Sequence, residues 1–518
     1  MKFWPFSRKK TEVKPVQKRA FAGAQVNRLT FDWVAQSTSQ DSEIRSSLVA
    51  LRSRTRQLVR DNDYVKNALR EIQNNVVGQG VKFQSQIRMR RGGELNKKLN
   101  DMLEWEWAMW GKAHSCHTAG KLCFSDIERL IMSEVPQSGE ILIRIIRQKF
   151  GRSRVPFALE IIDSDYLDET HNEELSNGNI IKMGVECDRW GRPVAYHLKN
   201  KHPFDWGQQS NLEPKGGAKI VVPAGDMIHL FMTERARQTR GFPWFAASLT
   251  RVKHMAGYEE AMVIGGRAAA CLMGFIETPD GELIGDDIYD GERVTEFEPA
   301  VIKKLNAGEK INVPNIARPN GEFDPFMRVM LRGLGAGVGV SYESISKDYS
   351  QSNYSSSRMS LLPERDNWRV IQLWLINNFH KPIFAKWLEA AVMSGTFDVP
   401  EYEMREMEYL ESVRFIARGW SWVDPTKEIA AYKEAILSGF STVSDVLAHS
   451  GGDYEELLET RKRELEQAEA MGLKFETMPE SMHQEIPSEP SPIEEKKLDA
   501  AILGVKFTNQ NNEATLKT

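Results

Sequence analysis

The chain has 518 residues, room for about three or four domain-sized units, and its 41% apolar and 27% charged residues are an ordinary globular mix. That excludes a wholly disordered chain, a collagen and a small disulfide scaffold. With 68 Lys/Arg against 72 Asp/Glu, the net charge of −4 excludes a basic protein that coats nucleic acid, though not local basic patches. Four scattered cysteines (Cys116, Cys123, Cys187, Cys271) are too few for a disulfide framework and point to a reducing compartment. No window holds about 18 uninterrupted apolar residues, so no membrane span is expected. The best candidate, Val263 to Ile276, is short and is interrupted by Arg267. The first residues are charged, run into Arg8-Lys9-Lys10 and contain no apolar stretch of signal-peptide length.

Charge is unevenly spread. Residues 1–30 carry eight Lys/Arg and one acidic residue, whereas 401–518 carry 24 acidic and 13 basic residues. Residues 1–40 read as a basic arm and 473–518 as an acidic tail. The Pro-, Ser- and Glu-rich stretch 476–497 has too little apolar area to offset ordering entropy, and disorder is expected there.

The first periodic segment, Ser42 to Val77, keeps apolar residues at helical spacing, with a cap signature at Asp61-Asn62-Asp63 and a stop at Gly78 and Gly80. A short strand at 81–85 and a helix over 95–110 follow. From Gly139 the pattern becomes β: runs at 141–146, 157–162, 181–186, 193–198, 220–222 and 227–231, with Asp188-Arg189-Trp190-Gly191-Arg192 as a hairpin turn. This predicts an α+β domain with a mostly antiparallel sheet.

From Pro243 the pattern is helical again. Phe245, Leu249, Val252, Ala256 and Val263 share one face. The same helix is crowded with small residues, among them Gly257, Ala261, Gly265 and Gly266. Each helical Gly costs about 1 kcal/mol relative to Ala, which makes sense where another backbone comes close. A mixed insertion, Met273 to Phe323, interrupts the helices. A short helix from Asp324-Pro325 runs into Gly333–Gly339, a run that reads as a flexible joint. A polar loop follows over 341–357. A helical stretch over 358–393 then carries the stripe Trp368, Ile371, Leu375, Phe379, Ile383 and Trp387. Pro363 and Pro382 are expected to kink or break it. A smaller helical unit spans 425–472, its last helix starting at Asp453 and ending at Gly472.

No catalytic, cofactor or metal site emerges. The glycine run lacks the Gly-Lys-Ser/Thr of a phosphate-binding loop and follows no strand. His114-Ser115-Cys116-His117 with Cys123 matches no usual zinc spacing and reads as loop. Asp163-Ser164-Asp165 reads as a turn after a strand, not a carboxylate metal cluster. The oddest stretch is Tyr342 to Arg358, with three tyrosines, one lysine and seven serines between two helices; it is longer than a tight connection needs.

Several of these stretches together resemble the lambda-type tailed-phage portal family over about residues 45–470. They are 56–65 (RQLVRDNDYV) with 75–80 (NVVGQG), the hairpin 188–196 (DRWGRPVAY), 240–244 (RGFPW), and 337–343 (GVGVSYE) leading to 348–350 (DYS) and 353–358 (NYSSSR). The resemblance implies a portal-type α+β fold with a wing, long stem and kinked helices and a helical crown, assembled as a twelve-subunit ring at one capsid vertex. Carried onto this chain it implies a wing over 41–241, a first stem helix over 242–272, a clip over 273–323 and a second stem helix over 324–340. A tunnel loop would follow over 341–353, then the kinked helix and wing return over 354–424 and the crown over 425–472.

The family's function is to pass double-stranded DNA in during packaging and out at ejection. Its partners are the terminase large subunit, head-completion proteins, and the major capsid and scaffold proteins, with no membrane. Its place is the virion, after assembly in the host cytoplasm. The resemblance puts Tyr342, Lys347, Tyr349, Asn353, Tyr354 and Arg358 at or near the DNA channel. It makes Gly257, Ala261, Gly265 and Gly266 candidates for stem packing. A capsid-assembly nuclease or terminase subunit is the alternative. It would need a carboxylate metal cluster or a phosphate-binding motif, and the sequence offers neither.

Overall fold

The computed structural model describes residues 37–89, 93–203, 217–270, 323–351, 353–420, 425–449 and 454–471, together with short pieces outside these ranges. The chain forms two compact units that meet at residues 425 and 426.

The first unit opens with α1 (Gln40–Asp61) and α2 (Asp63–Val76). Asn62 separates them: it is extended, and its side chain accepts from the Val65 N–H, capping α2. Then come β1 (Lys82–Ser85), α3 (Lys97–Trp110), the one-turn α4 (Ala113–Cys116) and α5 (Phe124–Ser138). Strands β2 (Glu140–Ile146), β3 (Ala158–Ile162), β4 (Glu173–Glu174), β5 (Ile180–Lys182), β6 (Val185–Cys187), β7 (Pro193–Lys199), β8 (Lys219–Pro223) and β9 (Met227–Phe231) follow. They make two antiparallel sheets, ordered β3-β2-β9 and β4-β5-β6-β7-β8. Leu142, Ile162, Val185, Tyr196, Leu198 and Val222 form a hydrophobic core of the two sheets.

One predicted strand is corrected. Residues 181–186 are two strands, because Met183 and Gly184 both have positive φ (46° and 85°) and turn the chain back on itself. Two residues with φ > 0 are what a tight two-residue hairpin needs. The periodicity at 181–186 does not report this, since Met183 is an unusual residue for that region.

Helix α6 (Leu249–Ala270) leaves this region. Two short strand pairs lie in the insertion, β10 (Phe275–Glu277) with β13 (Lys310–Asn312) and β11 (Ile288–Tyr289) with β12 (Glu292–Arg293); most of the insertion is outside the described residues. Helix α7 (Phe323–Val338) follows, then α8 (Tyr342–Ser346), α9 (Tyr354–Leu375), α10 (Lys381–Met393), α11 (Tyr402–Glu411) and β14 (Val413–Ile416). Strand β14 pairs with β1, so the end of this unit returns to its beginning.

The stripe Trp368, Ile371, Leu375, Phe379, Ile383 and Trp387 is buried throughout. It joins an aromatic cluster in which Trp107 lies 4.8 Å from Trp110, 5.1 Å from Phe83 and 5.3 Å from Trp387, centroid to centroid. Such pairs each add about 0.5–1.5 kcal/mol beyond area burial.

Only the second of the two prolines interrupts the α-helix as expected. Helix α9 runs through Pro363 without ending. Before Pro382 the chain widens into a π-helical turn, Ile376–His380, which joins α9 to α10. Pro382 has no N–H to donate, and the wider turn absorbs that loss. Buried His380 pins the turn to α5 through an Nε2 contact of 2.7 Å with Glu128.

The second unit holds α12 (Pro425–Leu437), α13 (Val443–His449) and α14 (Tyr454–Ala470). The expected caps at Asp453 and Gly472, most of the basic arm and the acidic tail lie outside the described residues.

Candidate functional site

The junction into α6 is built on a buried charge network. Glu140, fully buried at the start of β2, receives Arg240 through Nε at 2.8 Å and Nη2 at 2.5 Å, and Arg52 at 2.9 Å. Its other oxygen accepts the Gly241 N–H and contacts His229 Nε2, both at 2.9 Å. Burial alone would raise the Glu140 pKa; the Arg240 guanidinium and His229 outweigh it and hold the carboxyl well below its usual range. Arg240 Nη1 also donates to the Met183 carbonyl at 2.6 Å, which ties the hairpin turn to the junction. Beside it, Gly139 (φ 91°) and Gly241 come close; a Cβ on Gly139 would strike the Phe242 main chain and one on Gly241 the Gly139 carbonyl.

The glycine run is not a joint. Gly333, Gly335 and Gly337 lie inside α7, and a Cβ on each would collide with Arg251, the Val340 carbonyl and Ser248 Oγ respectively. These positions are glycine because neighbouring groups sit against the helix surface. Only Gly339 (φ 73°) breaks the helix, as a left-handed C-terminal cap. Tyr258 of α6 packs over Phe326 and Phe323 of α7, with centroids 4.5 and 5.8 Å away.

The polar stretch after it is only partly loop. Ser341 caps α8 by accepting the Ser344 N–H, and Glu364 of α9 accepts the Ser341 N–H at 3.2 Å and the Ser344 hydroxyl at 3.1 Å. From the other side, Asn67 of α2 donates to the Ser344 and Ile345 carbonyls at 2.8 and 2.9 Å. The remaining loop is 347–353.

Tyr342 is half-buried, donates its hydroxyl to Asp348 at 2.9 Å and lies under the Arg332 guanidinium at 5.5 Å. Lys347 has φ 58° and pairs with Glu71 of α2 at 2.5 Å. Hydrogen bonds from Ser350 and Tyr342 lower the Asp348 pKa to about 2. Tyr349 projects into solvent, 59% exposed. Asn353 is exposed, Arg358 is half-buried on α9, and the Tyr354 side chain lies outside the described residues.

The structure therefore gathers Tyr342, Lys347 and Asp348 at the α2 end and leaves Tyr349 outside. Asn67, Glu71, Arg328, Arg332 and Glu364 hold this arrangement and were not singled out from the sequence. Asn67 and Glu71 show there only as a polar i, i+4 pair whose partner is nearly 280 residues away.

Of the small residues on α6, Gly257 and Ala261 are exposed and Gly265 and Gly266 are half-buried. A Cβ at Gly257 or Gly265 would meet nothing within 4 Å. The buried side of α6 is Leu249, Val252 and Met255; Val263, on the predicted stripe, is 54% exposed. The stripe thus seals only the first half of the helix within one chain.

The zinc reading fails on geometry: His117 Nδ1 accepts the Lys121 and Leu122 N–H groups and Cys116 Sγ lies on the Gly111 and Leu122 carbonyls. Asp163, Asp165 and His202 offer ligand atoms within 4.8 Å of one another. Both carboxylates already accept guanidinium groups: Arg52 on Asp165 at 2.6 Å, and Arg56 on Asp163 at 2.7 Å and on Asp165. A cation there would face two fixed positive charges. Among the described residues no helix is long and apolar enough to cross a membrane.

Residues 27–372 match the family described as phage portal protein, lambda family. The chain is 30% identical to a probable portal protein of Halomonas phage phiHAP-1, over 89% of each chain. It is 22% identical to portal protein B of Escherichia phage lambda, over 85% of this chain and 88% of that one. Among solved structures it resembles a chain of the virion of a native gene transfer agent particle, with TM-score 0.43 and 14% identity over 78% of this chain and 93% of that one. With the family matched across β1 to β9, α6, α7 and most of α9, this chain belongs to the lambda family of phage portal proteins.

Proposed function

We propose that twelve copies of the chain close into a ring at one capsid vertex, and that duplex DNA passes in and out through its axis without being held. The family match, which spans the helices that would form the ring, carries this reading. Support comes from the second half of α6, where a Cβ on Gly257 or Gly265 would meet no described atom within 4 Å, Ala261 is exposed, and Val263 and Ile264 are more than half exposed. A neighbouring copy would cover this face.

The channel side belongs to the loop 347–353 with Tyr342, Tyr349, Asn353, Tyr354 and Arg358, which would meet the phosphate backbone by hydroxyl and sparse cationic contacts. A conduit has to bind weakly, and a net charge of −4 per chain, about −48 for twelve, suits that. The Lys347–Glu71 pair lowers the grip further. The clip would dock the terminase large subunit and later the head-completion proteins, and the wing would face the major capsid and scaffold proteins. The chain itself would be structural. With no phosphate-binding motif in the sequence, a separate ATPase would drive packaging. Assembly would take place in the host cytoplasm before the ring becomes part of the virion.

Light scattering on purified protein tests the ring: chains of 59.0 kDa are expected at about 700 kDa for a closed dodecamer. Axial views in electron micrographs should show a central opening. Compact single chains with no opening would overturn the proposal. A ring with thirteen copies formed in vitro would leave the conduit standing.

A further inference from the structure

A cavity of about 570 Å³ lies between α1, α2 and α5, away from the channel loop's own contacts. Its charged lining is Arg56, Arg60, Lys66, Arg70, Glu134 and Asp163. Most of these charges are already spent within the chain. Arg56 is bound to Asp163 at 2.7 Å, and Arg60 to Asp61 at 2.9 Å. Glu134 accepts from Gln137 and Ser138, both at 2.8 Å, and burial pushes its pKa up. Lys66 and Arg70 differ. Both are exposed, stand one turn apart on α2, and have no carboxylate partner among the described residues. Their Cα atoms are separated by about 6 Å along the helix.

From this we infer that the cavity is a binding site for the phosphodiester backbone of duplex nucleic acid, with Lys66 and Arg70 as its two contacting cations and Arg60 at the rim. Two unpaired cations over a wide, solvent-open recess suit phosphate oxygens, which need charge and no fixed base geometry. The lining holds no aromatic side chain, so it offers nothing on which unpaired bases would stack; that favours a duplex over a single strand. Lys347, by contrast, has its ammonium paired with Glu71 of α2. One chain builds the whole cavity, so the inference does not depend on how many copies close into a ring.

The test is fluorescence anisotropy of the full-length protein with a labelled 30-bp duplex, titrated between 50 and 200 mM KCl. Light scattering on the same sample records whether a ring has formed, which separates this result from that of the ring proposal. Replacing Lys66→Ala and Arg70→Ala together should weaken binding to all duplex sequences alike. It should also make the log–log salt slope shallower by about two, near 0.9 for each lost phosphate contact. The Lys66→Arg/Arg70→Lys protein should restore the slope. The control Lys98→Ala/Lys121→Ala removes equal charge outside the cavity and should leave the slope unchanged. An unchanged slope in the Lys66/Arg70 variant, or an equal loss in the control, would overturn the assignment. So would full competition by millimolar inorganic phosphate, since the site would then take the free ion and not the polymer.

Discussion

At the scale of single residues, Glu140 does the most. It is a fully buried carboxylate surrounded by Arg240, Arg52, His229 and the Gly241 N–H, which join β2, β9, α1 and the entrance to α6. Removing its charge leaves the Arg240 guanidinium buried without a counter-charge and Arg52 with Asp165 alone. Glu140→Gln is therefore expected to cost about 3–5 kcal/mol in urea unfolding. The pH dependence follows from the direction of the shift. A carboxyl whose folded pKa is depressed contributes stability that is full above its ordinary value of 4.5 and is lost as pH falls toward the folded value. Unfolding midpoints measured below pH 4.5 should fall in the wild type and fall much less in Glu140→Gln.

At the scale of elements, the glycines of α6 and α7 look alike in sequence and are opposite in structure. Gly335 has the Val340 carbonyl against it, and Gly335→Ala should destabilise by about 1–3 kcal/mol through overpacking. Gly257 has open space, so Gly257→Ala should stabilise an isolated chain by about 1 kcal/mol through helix propensity alone. Thermal unfolding of the two variants at a concentration where chains are separate gives opposite shifts if this distinction holds. The π-helical turn at 376–380 is a second element-level device, since it lets one long apolar stripe continue past Pro382 while His380 reaches Glu128.

At the scale of the molecule, the question is what covers the free half of α6. If a second copy does, Gly265→Leu should leave each chain folded, because a Cβ there meets no described atom within 4 Å. It should nonetheless shift the assembled mass toward single chains. Circular dichroism reads the first effect and light scattering the second. An unchanged assembly would place the contact between copies elsewhere.

Local signals were legible from residue order alone. The cap at Asn62, most strands of the two sheets (β4 excepted), the buried stripe from Trp368 to Trp387 and the family itself all rest on spacing or on short motifs, and both are written in neighbouring residues. The two-strand turn at Met183-Gly184, the pairing of β1 with β14, and the role of the glycines in α7 were not, because each depends on an uncommon φ or on what lies against the backbone after folding, most of it from distant parts of the chain. The channel stretch shows the division most clearly. Its tyrosines, serines and lysine stand out by composition, yet only packing turns half of it into a capped helix clamped by Asn67 and Glu364. The charge of Lys347 could be counted along the chain; its neutralisation by Glu71 could not, since an ion pair is a fact of distance and a sequence holds no distances beyond a few residues.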